Sequence, residues 1–188
     1  MAWNIRLLLH LATIAGVIWP WPGAASEGPW EALRAGGTIA LMRHARAPGT
    51  GDPPNFRLDD CATQRNLSAE GRRQAEEVGE RFKARGIVVE RVLSSRWCRS
   101  LDTARLAFGN RIEPHPSLDS FFSERDRQEA QNLAVLRLVD EWRGSGVLVL
   151  VTHQVNITAI TSVFPAEGEI LVLRPAANGF ELVGRIQP

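Results

Sequence analysis

The sequence has no excess of charge of either sign. Its 22 lysine and arginine residues and 21 acidic residues leave a formal net charge of +1 over 188 residues. Proteins that bind nucleic acid need many cationic contacts to phosphate, and we therefore expect no nucleic-acid partner. Lysine is almost absent, because Lys83 is the only one. Arginine suits bidentate binding of phosphate or carboxylate, but we attribute most of this bias to genome composition.

The apolar run near the N-terminus is too short for a typical membrane-spanning helix. It covers residues 7–19, follows Arg6 and ends at Pro20, whereas a span usually needs ~20 apolar residues. Small residues follow at positions 23–26, an order that is typical of a secretory signal peptide. We predict a signal peptide over residues 1–25 and an exported domain, periplasmic or secreted, over residues 26–188. The alternative is an uncleaved anchor, which would be the only membrane contact.

Cysteine is scarce, with Cys61 and Cys98 alone in the chain. No CxxC pair or histidine-rich tract accompanies them, so we expect no metal site. An even number of cysteines in an oxidising compartment favours a disulfide. Closing a loop of this span would stabilise the fold by roughly 4 kcal/mol on the chain-entropy model. Two free buried thiols are the alternative.

The order of apolar segments predicts an α/β protein. Short apolar runs predict four strands, at residues 38–42, 87–94, 111–114 and 147–151. Helical patterns alternate with them at residues 68–86, 101–108, 127–142 and 155–163. Such alternation is typical of a mainly parallel sheet. The tail, residues 169–186, predicts a C-terminal antiparallel hairpin around Ala176 to Gly179.

A long irregular stretch, residues 45–65, follows the first strand. Its prolines and glycines exclude regular structure through most of it. The Gly-Lys-Ser/Thr ending of a P-loop is missing. Because loops of this length in compact domains are often functional, we predict that it forms part of a pocket wall.

Polar side chains follow three of the predicted strands. Arg43 and His44 end the first, Arg99 lies just beyond the second, and His153 follows the fourth. The carboxyl ends of parallel strands meet at one edge of the sheet, where α/β proteins place ligands. Two imidazoles and two guanidiniums without a carboxylate predict an anion site. The alternative is three unrelated polar residues at strand ends.

Four segments resemble motifs of the histidine phosphatase superfamily, the phosphoglycerate-mutase-like group. Leu41-Met-Arg-His-Ala45 resembles its Arg-His-Gly motif, with alanine in place of glycine, and Val151-Thr-His153 resembles its Val-Ser-His motif. Asn66-Leu-Ser-Ala-Glu-Gly71, with Gln74-Ala75 after it, is similar to its Leu-Thr-x-x-Gly-x-x-Gln-Ala helix start. Ser94-Ser95-x-x-x-Arg99-Ser-x-x-Thr103-Ala104 is similar to its Ser-x-x-x-Arg-Ala-x-x-Thr-Ala segment. The resemblance implies a three-layer α/β/α sandwich.

The resemblance also implies roles for the polar residues at the strand ends. His44 would be the nucleophile that forms a phosphohistidine, and Arg43 and Arg99 would hold the phosphate oxygens. His153, protonated beside the phosphate, would add positive charge. No metal or cofactor is expected, because the arginines supply the charge. An imidazole attacks only when neutral, so the other ring nitrogen of His44 should donate to a backbone carbonyl.

The proton donor for the leaving group is open. The family often has a glutamate after the third strand, and Asp119 lies next to the matching position. We favour Asp119 as the catalytic acid, with Glu124 and Asp126 as alternatives, while a good leaving group needs no acid at all.

The function expected from the resemblance is that of a phosphomonoesterase with a small phosphorylated substrate. Arg46 and Arg65, at the two ends of the long loop, are expected to bind that substrate. Export favours a sugar phosphate or a cell-envelope phosphate. A phosphohistidine phosphatase and a non-catalytic anion-binding domain of the same fold are the alternatives.

Overall fold

The computed structural model describes residue 1, residues 27–177 and residues 179–188. The signal peptide predicted over residues 1–25, including the point where it would end, lies outside the described residues apart from Met1. In the described part of the chain, no helix combines the length and the apolar character needed to cross a membrane.

Six strands form one mixed sheet. In chain order they are β1 Thr38–Arg43, β2 Val89–Ser94, β3 Ile112–Pro114, β4 Val147–Thr152, β5 Ile170–Ala176 and β6 Gly179–Ile186. Their order across the sheet is β3-β2-β4-β1-β5-β6. The first four are parallel to one another, while β5 runs antiparallel to β1 and pairs with β6 as a hairpin. The predicted mainly parallel sheet with a C-terminal hairpin is confirmed.

Helices cover both faces of this sheet. They are α1 Glu27–Ala35, α2 Ala69–Ala84, α3 Cys98–Phe108, α4 Gln128–Asp140 and α5 Gln154–Thr161. Along β1, Ala40 and Met42 pack with the side of α1, α2 and α3, and Ile39 and Leu41 pack with the side of α4 and α5. This alternation follows from the two-residue period of a strand. It confirms the three-layer α/β/α sandwich.

The parallel register aligns the strand ends that carry the polar residues. Arg43 pairs with Thr152 across β1 and β4, and Ser94 pairs with Val151 across β2 and β4. His44, Ser95 and His153 therefore leave the sheet side by side. The convergence predicted from the strand ends is a consequence of this register.

Helix α2 fixes the segment that follows His44. Ser68 caps the helix by accepting a hydrogen bond from the Gly71 amide at 3.0 Å, and the Ser68 amide donates to the Arg46 carbonyl at 3.0 Å. A Cβ at Gly71 would lie 2.1 Å from that same carbonyl oxygen. The absence of a side chain at Gly71 is what lets α2 approach this closely.

Candidate phosphate-binding active site

His44 is buried at the end of β1 in the geometry that a histidine nucleophile needs. Its backbone amide donates to the Thr152 carbonyl at 2.9 Å, and its Nδ1 lies 2.8 Å from the Ala45 carbonyl oxygen. A carbonyl can only accept, so Nδ1 carries the proton and Nε2 presents its lone pair. The predicted hydrogen bond to a backbone carbonyl is confirmed.

The surroundings of His44 keep its imidazole neutral. Burial lowers the pKa of His44 well below its ordinary value, and the nearby positive charges of Arg99 and Arg43 lower it further. A neutral imidazole is the form that attacks phosphorus.

Ala45, which stands where the family motif has glycine, is accommodated. Its side chain is buried against Ala47, Leu67 and Ala75, and its amide donates to the Thr103 hydroxyl at 3.0 Å. The extra methyl group fits the packing of this segment.

Arg43 and Arg99 both reach the site. Arg43 is held by a hydrogen bond from Nη1 to the Pro165 carbonyl at 2.9 Å. Arg99 lies in the first turn of α3 with its side chain only 3% exposed. In the described part of the chain, the buried Nε atoms of both arginines have no hydrogen-bond partner. An anion in the cavity would be a natural acceptor for such donors.

Asp52, in the long loop, is a site residue that the sequence analysis missed. Its carboxylate accepts from Arg99 Nη1 at 2.7 Å and from Nη2 at 3.2 Å. It also accepts from the indole Nε1 of Trp97 at 3.0 Å and from the Arg65 amide at 3.2 Å. The sequence offered one signal, an acidic residue inside the stretch that was expected to form the pocket wall.

His153 faces His44 with its imidazole at an angle of 66° and a ring-centroid distance of 5.4 Å. Its Nε2 lies 2.7 Å from the Ser95 hydroxyl oxygen, and its Nδ1 lies 3.5 Å from Arg99 Nη2. Since Arg99 can only donate, Nδ1 acts as an acceptor and Nε2 carries the proton.

The protonation of His153 beside a bound phosphate stays a prediction, and in the ligand-free site the imidazole is neutral. Burial lowers the pKa of His153 well below its ordinary value, and Arg99 and His44 lower it further. A bound phosphate dianion would act in the opposite direction, because an anion favours the charged imidazolium.

Asp119 lies behind the site rather than in it, which corrects the expectation that it donates a proton to the substrate. Its carboxylate is fully buried and accepts from Arg96 Nε at 2.8 Å, from Arg96 Nη2 at 2.5 Å and from the Arg96 amide at 2.9 Å. The Ser95 hydroxyl, which contacts His153, lies 3.4 Å from the same carboxylate. Asp119 is therefore placed to hold Ser95 and Arg96 in position.

The polar residues surround a cavity of about 480 Å³. Its lining includes Arg43, His44, Arg65, Arg99 and His153, together with parts of two loops. From the long loop these are residues 49–54 and 56, and from the second loop they are residues 120 and 122–124. The volume lies in the usual range for small-molecule sites, about 300 to 1,000 Å³.

The two arginines predicted to bind substrate differ in position. Arg65 lines the cavity, and its guanidinium also donates to the carbonyl groups of Ala47 and Gly51. Arg46 points away: its side chain is 52% exposed and forms an ion pair with Glu70 at 2.8 Å. The structure brings Arg65 to the site and leaves the Arg46 side chain exposed, paired with Glu70 of α2.

The predicted disulfide between Cys61 and Cys98 is present, which excludes the alternative of two free thiols. It joins the long loop to the first residue of α3, next to Arg99. The Cys98 amide donates to the Gln64 side-chain oxygen at 2.9 Å, and the Phe56 ring stacks on Trp97 at 5.1 Å. These contacts fix the cavity wall against the helix that carries Arg99.

Comparison with known proteins agrees with this geometry. The model of the histidine phosphatase superfamily (branch 1) matches residues 39–139, which is more than half of the chain. Comparison with curated protein sequences finds no match.

Solved structures share the fold at low sequence identity. The protein histidine phosphatase SixA, complexed with tungstate, aligns with a TM-score of 0.57 and 15% identity over 80% of this chain and 97% of that one. Phosphoserine phosphatase from Entamoeba histolytica, in complex with 3-phosphoglyceric acid, aligns with a TM-score of 0.62 and 14% identity over 80% and 97%. The mycobacterial glucosyl-3-phosphoglycerate phosphatase aligns with a TM-score of 0.52 and 19% identity over 72% and 92%. Because the family model matches residues 39–139, more than half of the chain, the chain belongs to the histidine phosphatase superfamily, branch 1.

Proposed function

We propose that this protein is a phosphatase that hydrolyses a phosphomonoester through a phosphohistidine on Nε2 of His44. The observation that carries the proposal is the state of His44, which is neutral and holds its proton on Nδ1 at 2.8 Å from the Ala45 carbonyl oxygen. That arrangement leaves a lone pair on Nε2 beside a cavity lined by three arginines, Arg43, Arg65 and Arg99.

The first step is attack of Nε2 on the phosphorus. The N–P bond forms as the P–O bond to the leaving group breaks, and the oxygen keeps the electron pair. Negative charge on the three equatorial oxygens is stabilised by the guanidiniums of Arg43, Arg65 and Arg99, which is the main catalytic contribution in phosphoryl transfer. In the second step a water molecule attacks the phosphohistidine, and His44 is restored as the leaving group.

His153 assists both steps in two ways: it accepts a hydrogen bond from Arg99 in the free site, and it donates one to the phosphate when substrate is bound. Its Nδ1 faces Arg99, and in the ligand-free site it is neutral. A bound phosphate dianion attracts a proton to Nδ1, which then changes from accepting a hydrogen bond from Arg99 to donating a charged one to an equatorial oxygen. The Ser95 hydroxyl on Nε2 holds the ring in this orientation.

A small phosphate ester outside the cytosol is the substrate class we propose. The cavity of about 480 Å³ admits a sugar-sized leaving group, and the disulfide is typical of an oxidising compartment. Both features support a sugar phosphate or a cell-envelope phosphate met after export. Among the structural neighbours, one is a phosphatase of glucosyl-3-phosphoglycerate.

The test is the rate of phosphate release from p-nitrophenyl phosphate between pH 5 and 8. We expect kcat/KM of the His44→Ala variant to fall by at least ~10³-fold, because removal of a covalent nucleophile leaves only binding and electrostatic stabilisation. The matched control is His115→Ala, since His115 lies outside the cavity lining and should retain wild-type activity. Equal rates for the wild type and the His44 variant would instead support a non-catalytic anion-binding domain.

A further inference from the structure

The proposed reaction needs a proton donor that His44 cannot supply. When the P–O bond of an alkyl phosphate breaks, the electron pair stays on an alkoxide oxygen, which is a poor leaving group unless it is protonated. The lone pair of His44 Nε2 is used to form the N–P bond, and the ring proton on Nδ1 is directed at the Ala45 carbonyl. A separate acid has to face the cavity.

Two carboxylates line the cavity in the described part of the chain, those of Asp52 and Glu124. The Glu124 side chain is 57% exposed and forms an ion pair with Arg127 at 3.0 Å, at the rim. The Asp52 side chain is 16% exposed and lies directly on Arg99. Burial and position favour Asp52.

We propose that Asp52 is the general acid of the first step and the general base of the second, an inference that rests on the phosphatase function proposed above. The Arg99 guanidinium contacts both the Asp52 carboxylate, at 2.7 and 3.2 Å, and Nδ1 of His153, at 3.5 Å. His153 in turn packs against His44. Asp52 is thus separated from the two histidines by a single guanidinium, at the side of the cavity bounded by the long loop.

Asp52 stays in the site when Arg99 binds phosphate, because it has two further anchors. The Trp97 indole donates to Oδ2 at 3.0 Å, and the Arg65 amide donates to Oδ1 at 3.2 Å. Neither donor belongs to Arg99. The Nε atom of Arg99 is buried without a partner in the described residues and remains available to a phosphate oxygen.

Substrate binding changes the protonation of Asp52 in the required direction. Burial raises the pKa of Asp52 in the free site, but the hydrogen bonds and charge of Arg99 outweigh burial and hold the pKa below its usual value. A bound phosphate dianion competes with Asp52 for the hydrogen bonds and the positive charge of Arg99. It also places negative charge next to the Asp52 carboxylate. Both changes favour the protonated acid.

The proton balance then closes over the two steps. In the first, the proton that Asp52 takes up from solvent when the dianion binds moves to the leaving oxygen as the N–P bond forms and the P–O bond breaks. In the second, the Asp52 carboxylate accepts a proton from the attacking water as the new P–O bond forms and the N–P bond breaks. Asp52 returns to the acid form and needs no other co-reactant.

The leaving-group dependence of kcat/KM tests this assignment. The wild type, Asp52→Asn and the control Glu124→Gln are compared on p-nitrophenyl phosphate, phenyl phosphate and glycerol 3-phosphate. General acid catalysis contributes about 10² to 10⁴-fold where the leaving group is poor. We expect the loss in Asp52→Asn to be at least ~10²-fold larger with glycerol 3-phosphate than with p-nitrophenyl phosphate, and Glu124→Gln to keep the wild-type ratio.

Three results would overturn the assignment. A loss in Asp52→Asn that is equal for all three esters would mean that Asp52 only orients Arg99. A gain for all three would mean that it only competes with phosphate for Arg99. A loss in Glu124→Gln that is larger for the poorer leaving groups would mean that Glu124, at the rim of the cavity, is the general acid.

Proton uptake on binding sulfate gives a second readout that does not depend on turnover. Sulfate is fully ionised at pH 5 to 7, so any proton taken up, measured by calorimetry in buffers of different ionisation enthalpy, enters the protein. We expect the wild type to take up more protons than Asp52→Asn, and equal uptake would contradict the proposal. A wild type that forms no phosphohistidine would instead refute the phosphatase function itself, whatever the Asp52 variant does.

Discussion

Removal of the disulfide should destabilise the protein by an amount that its loop length predicts. Cys61 and Cys98 are separated by 37 residues, and on the chain-entropy model the restriction of the unfolded chain is then about 4 kcal/mol. Native contacts around the bond do not depend on it: the Gln64 side chain donates to the carbonyls of Arg57 and Leu58 and accepts from the Cys98 amide. The loss should therefore come mainly from the unfolded state.

The assay is urea denaturation of the wild type and of a Cys61→Ser/Cys98→Ser double variant. We expect the free energy of unfolding to fall by about 4 kcal/mol, a large part of the 5 to 15 kcal/mol of a typical domain, with the ligand-free fold retained. The control is the wild type in the presence of reductant, which should match the variant. A loss below ~1 kcal/mol, or two titratable thiols in denatured but unreduced wild type, would refute the reasoning.

Two further predictions concern packing and pH. Gly71→Ala places a Cβ 2.1 Å from the Arg46 carbonyl oxygen, so we expect the free energy of unfolding, measured by urea denaturation, to fall by about 1 to 3 kcal/mol. The control Gly28→Ala places a Cβ that meets nothing within 4 Å and should cause no loss. Equal losses in the two variants would contradict this prediction. The lowered pKa values of His44 and His153 mean that the unfolded chain binds more protons than the native protein below about pH 6.5. The free energy of unfolding should therefore fall as the pH is lowered through this range, and less steeply when both histidines are replaced by glutamine; an identical slope would contradict the assignment.

The residues fixed by the sheet could be predicted from the sequence. The short apolar runs at β1, β2 and β4 predict buried strands, and the residues that follow them are brought together by parallel register. Arg43, His44, Arg99 and His153 all reach the site for this reason. The disulfide was also predictable, because two cysteines have one intramolecular pairing.

Among the residues whose position depends on loop geometry, Arg65 was predicted and lines the cavity, but others could not be predicted. The position of Asp52 depends on contacts between distant segments, such as those from Arg65 to Gly51 and from Trp97 to Asp52. Asp119 lies after the third strand, as expected, yet its carboxylate forms an ion pair with Arg96 and does not face the cavity. The local sequence does not indicate this ion pair. The same holds for Arg46, whose backbone adjoins the site while its side chain pairs with Glu70.

Helix α1 was missed for a different reason. Its nine residues are preceded by the segment that was set aside as a signal peptide. Its buried residues are Pro29, Trp30, Ala32 and Leu33, too few to show a helical period by themselves. Its stability comes from packing against the sheet and against Phe82, whose ring meets Trp30 edge to face at 5.7 Å.

The central claim is that His44 carries the phosphoryl group on Nε2. The direct measurement is to quench the enzyme in base during turnover and to locate the phosphoryl group by peptide mass spectrometry, with ³¹P and ¹⁵N NMR to identify the nitrogen. We expect acid-labile, base-stable phosphate on Nε2 of His44 and none in the His44→Ala variant. Phosphate on Nδ1 or on His153, or turnover without any phosphohistidine, would contradict the account.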